Sequence, residues 1–95
     1  MLKLDEEQKS FLEALGNASR LKILIALWRS KEELKVYKIC KYTGLGRSAV
    51  QRHLKVLVEA GLISRRIYGE IPLYAINTEN LRAKALVEFF NSIKL

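Results

Sequence analysis

The sequence has little of what chemical sites are usually built from. Its 95 residues include one cysteine, one histidine and one proline. Cys40 has no partner for an intramolecular disulfide, and Cys40 with His53 falls short of the four ligands of a structural zinc site. No repeat, low-complexity tract or Gly/Ser-rich linker interrupts the chain. These absences predict a single domain over residues 1–95 without a disulfide, a metal or a cofactor.

Long apolar runs are missing as well. The longest, Ile23 to Trp28, has six residues, whereas a membrane-spanning helix needs about 20. The first residues, Met1-Leu-Lys-Leu-Asp, do not have the pattern of a signal peptide. The sequence is 49% hydrophobic, which is enough for a compact core. We therefore expect a soluble cytoplasmic protein that does not associate with membranes.

No catalytic constellation can be assembled from the sequence. There is no paired acid and base, no nucleophile placed with a base, and no glycine-rich phosphate loop. The single histidine, His53, has neither a nucleophile nor an acid placed with it. The sequence therefore predicts that the protein is not an enzyme.

What the chain has in excess is positive charge. It contains 17 lysines and arginines against 10 acids, a net charge of +7. Residues 34–68 contain eight of the basic residues and only one acid, Glu59, so the whole excess lies there. A solvated basic surface without a partner is the simplest alternative, but it does not explain why acids avoid this third of the chain. The pattern favours a polyanionic partner.

Apolar spacing and capping residues divide the chain into helices and one hairpin. Helices are predicted over about 6–15, 17–30, 36–44 and 47–60. Gly44-Leu45-Gly46 joins the last two, so residues 36–60 form a helix-turn-helix. Alternating residues from Ile63 predict a hairpin, or wing, over 62–77, with Pro72 on an edge strand. Asn77 and Thr78 start a final helix of about 79–93. The predicted fold is mainly α with a small β-hairpin: a winged helix-turn-helix in the order α1-α2-α3-α4-β-hairpin-α5.

The helix of residues 47–60 has the side chains that read DNA. Its length of about 20 Å fits a major groove, and arginine and glutamine pair bidentately with guanine and adenine. The predicted base contacts are Arg47, Ser48, Gln51 and Arg52. Lysines lack this forked geometry and suit phosphates. The predicted DNA backbone contacts are Lys35, Lys38, Lys41, Tyr42, His53, Lys55, Arg65 and Arg66; for His53, packing is an equal alternative.

The terminal segments, residues 1–16 and 78–95, are predicted to be dimerisation helices. Apolar residues in the final helix cover more than one stripe, and one stripe is enough for the core of its own chain. The remainder is expected to meet a second copy. The predicted interface residues are Leu4, Phe11, Leu12, Leu86, Phe89, Phe90 and Ile93.

Three segments resemble those of the ArsR-type winged-helix transcription regulators. They are Leu15-Gly-Asn-Ala-Ser-Arg-Leu-Lys-Ile-Leu, then Ala49-Val-Gln-Arg-His-Leu-Lys-Val-Leu-Val-Glu-Ala-Gly-Leu-Ile, and the wing's end, Tyr74-Ala-Ile-Asn. The second segment is similar to the family's recognition helix, although several winged-helix families share that pattern.

The metal ligands of this family have no counterpart in the sequence. The Cys-x-Cys pair of metal-sensing members corresponds to Lys35 and Tyr37, and the final helix offers Glu79 and Glu88 but no histidine. The resemblance therefore implies a regulator that does not sense metals. Cys40 is expected to be a packing residue; a redox switch would need an exposed thiolate of low pKa.

Together these features predict a homodimeric, sequence-specific regulator of transcription that binds double-stranded DNA, and a repressor in particular. Two alternatives stay open. One is an architectural protein that coats DNA with little sequence preference. The other is a winged helix that serves as a protein-interaction module in a larger assembly. The sequence identifies neither an operator nor a small-molecule effector.

Overall fold

The computed structural model describes all 95 residues. It has five helices and one antiparallel hairpin in the predicted order. Their bounds are α1 Glu6–Leu15, α2 Ala18–Ser30, α3 Val36–Thr43, α4 Arg47–Glu59, β1 Ile63–Tyr68, β2 Ile71–Ile76 and α5 Leu81–Ser92. The predicted fold class is confirmed. None of the helices is long and apolar enough to cross a membrane.

Side-chain caps fix where the first two helices begin. Asp5 accepts a hydrogen bond from the backbone N–H of Gln8 at 2.7 Å, and the Gln8 side chain accepts one from the Asp5 N–H at 3.0 Å. This reciprocal pair is a capping box, as the sequence predicts. Asn17 caps α2 through a single hydrogen bond, which its side chain accepts from the Arg20 N–H at 3.0 Å. Both helix starts therefore agree with the sequence to within a residue.

Glycine shapes the turn between α3 and α4. Gly44 ends α3 in the left-handed region, with φ of +74° and its N–H bonded to the Cys40 carbonyl at 2.8 Å. This conformation strains residues that have a Cβ. The Thr43 hydroxyl then accepts from the Leu45 N–H at 3.3 Å, and Gly46 begins α4. The turn joins α3 to α4, and the two helices pack against each other.

Beside the two-stranded wing lies a one-residue β-bridge that the sequence does not predict. β1 and β2 pair from Ile63 opposite Ile76 to Tyr68 opposite Ile71. On the other side of β2, Leu34 and Tyr74 exchange two backbone hydrogen bonds of 2.8 and 2.9 Å. At Tyr74, β2 therefore has a partner on both sides, whereas the rest of the strand, including Pro72, remains an edge. This bridge ties the wing to the segment that leads into α3.

The final helix begins later than predicted. Asn80, not Asn77 or Thr78, is its cap, because the Asn80 side chain accepts from the N–H groups of Arg82 and Ala83 at 2.9 and 3.0 Å. Asn77 is used elsewhere: its side-chain amide donates to the Gly61 carbonyl at 3.0 Å. The Asn77 Oδ1 accepts from the Glu79 N–H at 3.2 Å, so Asn77 closes a turn just before the helix and also ties the end of the wing to Gly61.

The core lies where α2, α3, α4 and the hairpin meet. Its centre consists of side chains with no more than 2% of their surface exposed: Ile23, Leu24, Leu27, Ile39, Val50, Leu54, Leu57, Leu62 and Ile63. Cys40 is half-buried and packs against this cluster. In contrast, α5 buries only Ala83 and Phe90, and α1 buries only Ala14. The two terminal helices thus remain poorly covered in a single chain.

Candidate nucleic-acid interface

The two faces of α4 differ sharply. Its inner face is buried through Val50, Leu54 and Leu57. Apart from His53, the side chains predicted to read bases or to contact the DNA backbone from this helix are exposed: Arg47, Ser48, Gln51, Arg52 and Lys55. The first turn has no acid and no side-chain cap, so its backbone N–H groups lack a partner in the protein and favour an anion. The outer face of α4 is therefore polar, cationic at its N-terminal half and free of contacts.

The lysines of α3 extend this surface. Lys35 and Lys41 are exposed, and Lys38 is half-buried. The Lys35 and Lys38 ammonium groups lie 5.8 and 5.9 Å from the ring centres of Tyr37 and Tyr42, within the range of a cation–π interaction. Tyr42, a predicted phosphate contact, is 54% exposed. The aromatic rings attract the ammonium groups but carry no charge, so Lys35 and Lys38 remain cationic beside them.

A cleft of about 510 Å³ separates α4 from the wing. Predicted contacts from three elements line it: Lys35 before α3, Arg47 and Gln51 on α4, and Arg65 on β1. The Arg65 Nε donates to the Tyr74 hydroxyl at 3.3 Å, so the hairpin itself orients this arginine. The acid at the wing turn, Glu70, also lines the cleft. The fold thus gathers side chains that are far apart in the sequence around one opening.

Arg66 differs from the prediction, because its charge has a partner. Its guanidinium makes a bidentate ion pair with Glu33, with the shortest contact of 2.5 Å between Nη2 and Oε1. The hydrogen bond from Arg66 lowers the pKa of Glu33 below its ordinary value of 4.5, so the carboxyl stays ionised. Arg66 also lies 5.5 Å from the Tyr68 ring centre. A phosphate would have to compete with Glu33 for it.

His53 does not belong to the DNA-facing surface, and its predicted backbone contact is corrected. The ring is 8% exposed, on the inner side of α4. Its Nδ1 lies 3.2 Å from Nη1 of Arg20 on α2. Burial lowers its pKa below the ordinary 6.5, and Arg20 and Arg52 lower it further. The packing alternative is the correct one.

The predicted dimer residues fall into three groups. Leu12, Phe89 and Ile93 are about half exposed, at 48, 54 and 49%. Leu4, Phe11 and Leu86 are half-buried, and Phe11 and Leu86 pack against the core. The prediction that Phe90 belongs to the dimer interface is wrong. Only 2% of Phe90 is exposed, and its ring centre lies 5.6 Å from that of Trp28, so it belongs to the core of the protomer.

Sequence reasoning missed three features that shape this surface: the Leu34–Tyr74 bridge, the Glu33–Arg66 ion pair and the contact between Arg20 and His53. Each joins residues more than 30 positions apart, so no local period signals it. Arg20 and His53 both lie inside the segments that resemble the ArsR-type regulators. That resemblance is the one feature of the sequence that sets these two residues apart. No three histidine, cysteine or acidic side chains cluster in an arrangement that could hold a metal ion.

A helix-turn-helix with an exposed polar outer helix, followed by a two-stranded wing on the same cationic side, defines a winged helix-turn-helix DNA-binding protein. The profile described as "Bacterial regulatory protein, arsR family" matches residues 17–65. The chain belongs to the ArsR family of bacterial regulatory proteins, and it is a DNA-binding transcription regulator rather than an enzyme.

Relatives agree with this assignment along nearly the whole chain. The uncharacterized HTH-type transcriptional regulator YuzN of Bacillus subtilis is 31% identical in an alignment of 84 residues that covers 83% of this chain and 91% of YuzN. HlyU from Vibrio cholerae superposes with a TM-score of 0.78 at 28% identity, covering 98% of this chain and 97% of HlyU. The transcriptional repressor PagR of Bacillus anthracis gives a TM-score of 0.75 at 26% identity, covering 90% and 93%.

Proposed function

We propose that this regulator is a homodimeric repressor that recognises a two-fold-symmetric DNA sequence. The observation that carries the proposal is the outer face of α4, where Arg47, Gln51 and Arg52 are exposed and unpaired beside the lysines of α3. Residues 34–58 contain no acid. Phosphates can therefore approach α3 and most of α4 without repulsion from an acid on these helices, while the forked side chains reach base edges.

The side chains divide into two roles. Arg47, Ser48, Gln51 and Arg52 project from the N-terminal half of α4, the part of a recognition helix that meets base edges. Lys35, Lys38, Lys41, Tyr42, Lys55 and Arg65 surround them and are placed to neutralise phosphates. Arg66 joins them only after it leaves Glu33. Base contacts determine which sequence is bound, and phosphate contacts determine how strongly any duplex is held.

A second copy is needed because one chain has a single recognition helix. The terminal helices supply the surface for it. Leu12 on α1 and Phe89 and Ile93 on α5 are exposed apolar side chains, and Arg82 of α5 joins the two helices by lying 5.1 Å from the Phe11 ring centre. Two copies paired through α1 and α5 would present their recognition helices to successive major grooves, about 34–36 Å apart.

Repression is the simplest consequence of such binding. A dimer seated on two adjacent major grooves covers DNA that polymerase would need. The repressor PagR has a similar fold over nearly its whole length. We expect the protein to act in the bacterial cytoplasm, where the chromosome lies.

Selection of bound duplexes from a random pool, repeated at raised salt, tests the proposal. Enrichment of a two-fold-symmetric site is the expected result. Retention of duplexes without enrichment of any sequence would point instead to a protein that coats DNA. A failure to retain duplexes at low salt would contradict the proposal and leave a protein-interaction module. Transcription from a promoter that contains the enriched site should fall when the protein is added.

A further inference from the structure

The side chain of Arg20 connects two helices that are not neighbours in the chain. From the first turn of α2, its Nε donates to the Ala14 carbonyl at 3.0 Å and its Nη2 to the Glu13 carbonyl at 2.7 Å. Its third nitrogen, Nη1, lies 3.2 Å from Nδ1 of His53 on α4. One planar guanidinium thus contacts both the end of α1 and the recognition helix.

At α1 these hydrogen bonds complete the end of the helix. The last four carbonyls of a helix have no partner within it. The Gly16 N–H bonds to the Leu12 carbonyl at 2.8 Å, and Arg20 supplies donors for the next two. The Arg20 backbone is fixed as well, because its N–H donates to the Asn17 cap at 3.0 Å. The guanidinium is therefore held in place relative to α1 before it reaches α4.

At α4 the hydrogen bond between Arg20 and His53 requires one particular tautomer of the histidine ring. A guanidinium has only donors, so Nδ1 must be the acceptor and the ring proton must lie on Nε2. The ring is buried on the inner face of α4, next to Arg52, a predicted base contact. The charged groups that act on the ring are Arg20 from α2 and Arg52 from α4 itself, both cationic. A protonated His53 would lose the hydrogen bond and face two positive charges.

We propose that Arg20 and His53 are a positioning pair that holds the recognition helix at a set orientation relative to α1, so that dimerisation and DNA reading are coupled. The proposal rests on the proposed function for its two end points, the dimer helix α1 and the DNA-reading helix α4. The connection itself rests on the three hydrogen bonds of Arg20. Neither residue touches DNA in this arrangement; both act through the placement of α4.

The pair also makes the coupling sensitive to acid. The unfolded chain has a histidine pKa near 6.5, and the folded state lowers the pKa of His53. The stability that the neutral ring provides is therefore complete above pH 6.5 and is lost as the pH falls from there toward the folded pKa. DNA affinity should decline over the same window, beyond the effect of pH on a variant without the histidine.

The chain offers a direct probe of the pair, since His53 is its only histidine. Labelling histidine with ¹⁵N gives one Nδ1 and one Nε2 signal, which report tautomer and pKa without DNA. The expected result for the full chain is a neutral ring protonated on Nε2. Arg20→Met removes the neighbouring charge and donor, and the ring pKa should rise. A neutral ring protonated on Nδ1, or a His53 pKa that is unchanged in Arg20→Met, would contradict the proposed interaction between Arg20 and His53.

Two His53 variants separate positioning from packing. His53→Asn places an amide oxygen near the position of Nδ1 and has a similar helix propensity, so it keeps an acceptor for Arg20 that does not titrate. His53→Leu fills the interior but has no acceptor. We expect the His53→Asn variant to keep the DNA affinity of the unmodified chain. Its affinity should no longer decline as the pH falls below 6.5. Leu should retain the thermal unfolding midpoint but lose affinity by about fivefold to 150-fold, the usual range of coupling between sites.

The probe for affinity is a fluorescent duplex from the enriched pool or, if none is enriched, a random-sequence duplex. Folded His53→Leu that binds as tightly as the unmodified chain would overturn the positioning role. If the unmodified chain binds neither duplex, the proposed function fails, and the pair's role in DNA reading fails with it. The ring titration would still decide whether Arg20 and His53 interact, so the two failures are distinguishable.

Discussion

Individual arginines of this protein have different surroundings although they share one chemistry. Arg52 is exposed on the outer face of α4 without an acid beside it, whereas Arg66 is held by Glu33 and Arg20 contacts two helices. An arginine that is already paired must give up an interaction before it binds a phosphate, so only the unpaired ones contribute fully to DNA affinity. The charge count of the sequence treats all three alike.

Arg52→Ala and Lys38→Ala should weaken DNA binding in different ways. Loss of Arg52 removes a group that can pair bidentately with guanine, so affinity for the enriched site should fall by about 1–3 kcal/mol and the preference for it should relax. Loss of Lys38 should weaken every duplex alike and reduce the salt slope by about one. Fluorescence anisotropy on specific and random duplexes across a salt series measures both. Equal losses on both duplexes for both variants would contradict the division of roles.

Glu33→Gln should strengthen DNA binding. The ion pair with Glu33 ends when the carboxylate is removed, which frees Arg66 for a phosphate, and the salt slope should steepen by about one. Glu32→Gln is the matched control, since it removes the same charge at the adjacent position, where the exposed carboxylate has no ion pair. A salt titration of both variants on one duplex gives the comparison. Equal effects would show a general change in net charge rather than release of Arg66.

At the scale of elements, caps and periodicity predict most of the fold. The capping box at Asp5, the Asn17 cap and the glycines around α4 place four helices within a residue or two, because each signal is local. The start of α5 is missed since Asn77 and Asn80 are the same residue type and both accept backbone N–H groups: Asn77 closes a turn at Glu79, whereas Asn80 caps the helix, and the local sequence does not distinguish the two. The Leu34–Tyr74 bridge is missed because a single paired residue produces no alternation of apolar and polar residues in the sequence.

The two glycines of the turn should respond differently to the same substitution. Gly44 has φ of +74°, so Gly44→Ser should lower the free energy of unfolding by about 1–2 kcal/mol. Gly46 has ordinary extended geometry, with φ of −71°, and α4 lacks a side-chain cap. Gly46→Ser supplies one and should be neutral or stabilising by a few tenths of a kcal/mol. Urea unfolding of the two variants measures the difference. Equal destabilisation would mean that the turn tolerates no side chain.

Over the whole molecule, the cationic surface and the apolar surface of the terminal helices lie on different parts of the chain. The net charge of +7 lies entirely on residues 34–68, which form the bridge, the helix-turn-helix and β1. The terminal helices α1 and α5 instead expose apolar side chains such as Leu12 and Phe89, and the wing exposes Ile67 and Ile71 as well. The sequence predicts the position of the charge, because a count of acids and bases along the chain shows it. Burial within each helix is harder to predict: Phe89 and Phe90 are adjacent and identical, yet one is half exposed and the other is core. Which of them turns inward depends on where Trp28 lies.

Phe89→Glu should therefore separate the dimer without unfolding the protomer. The ring is 54% exposed and its replacement puts a charge into the proposed apolar interface, so sedimentation should show a monomer with an unchanged helical circular dichroism spectrum. Because a monomer presents one recognition helix, it should bind half-sites independently and lose affinity for the intact two-fold site. Phe90→Ala is the contrasting variant: its buried ring packs on Trp28, and its loss should cost about 3–5 kcal/mol of stability. A dimeric Phe89→Glu protein, with affinity for the symmetric site intact, would place the interface elsewhere than on this face of α5.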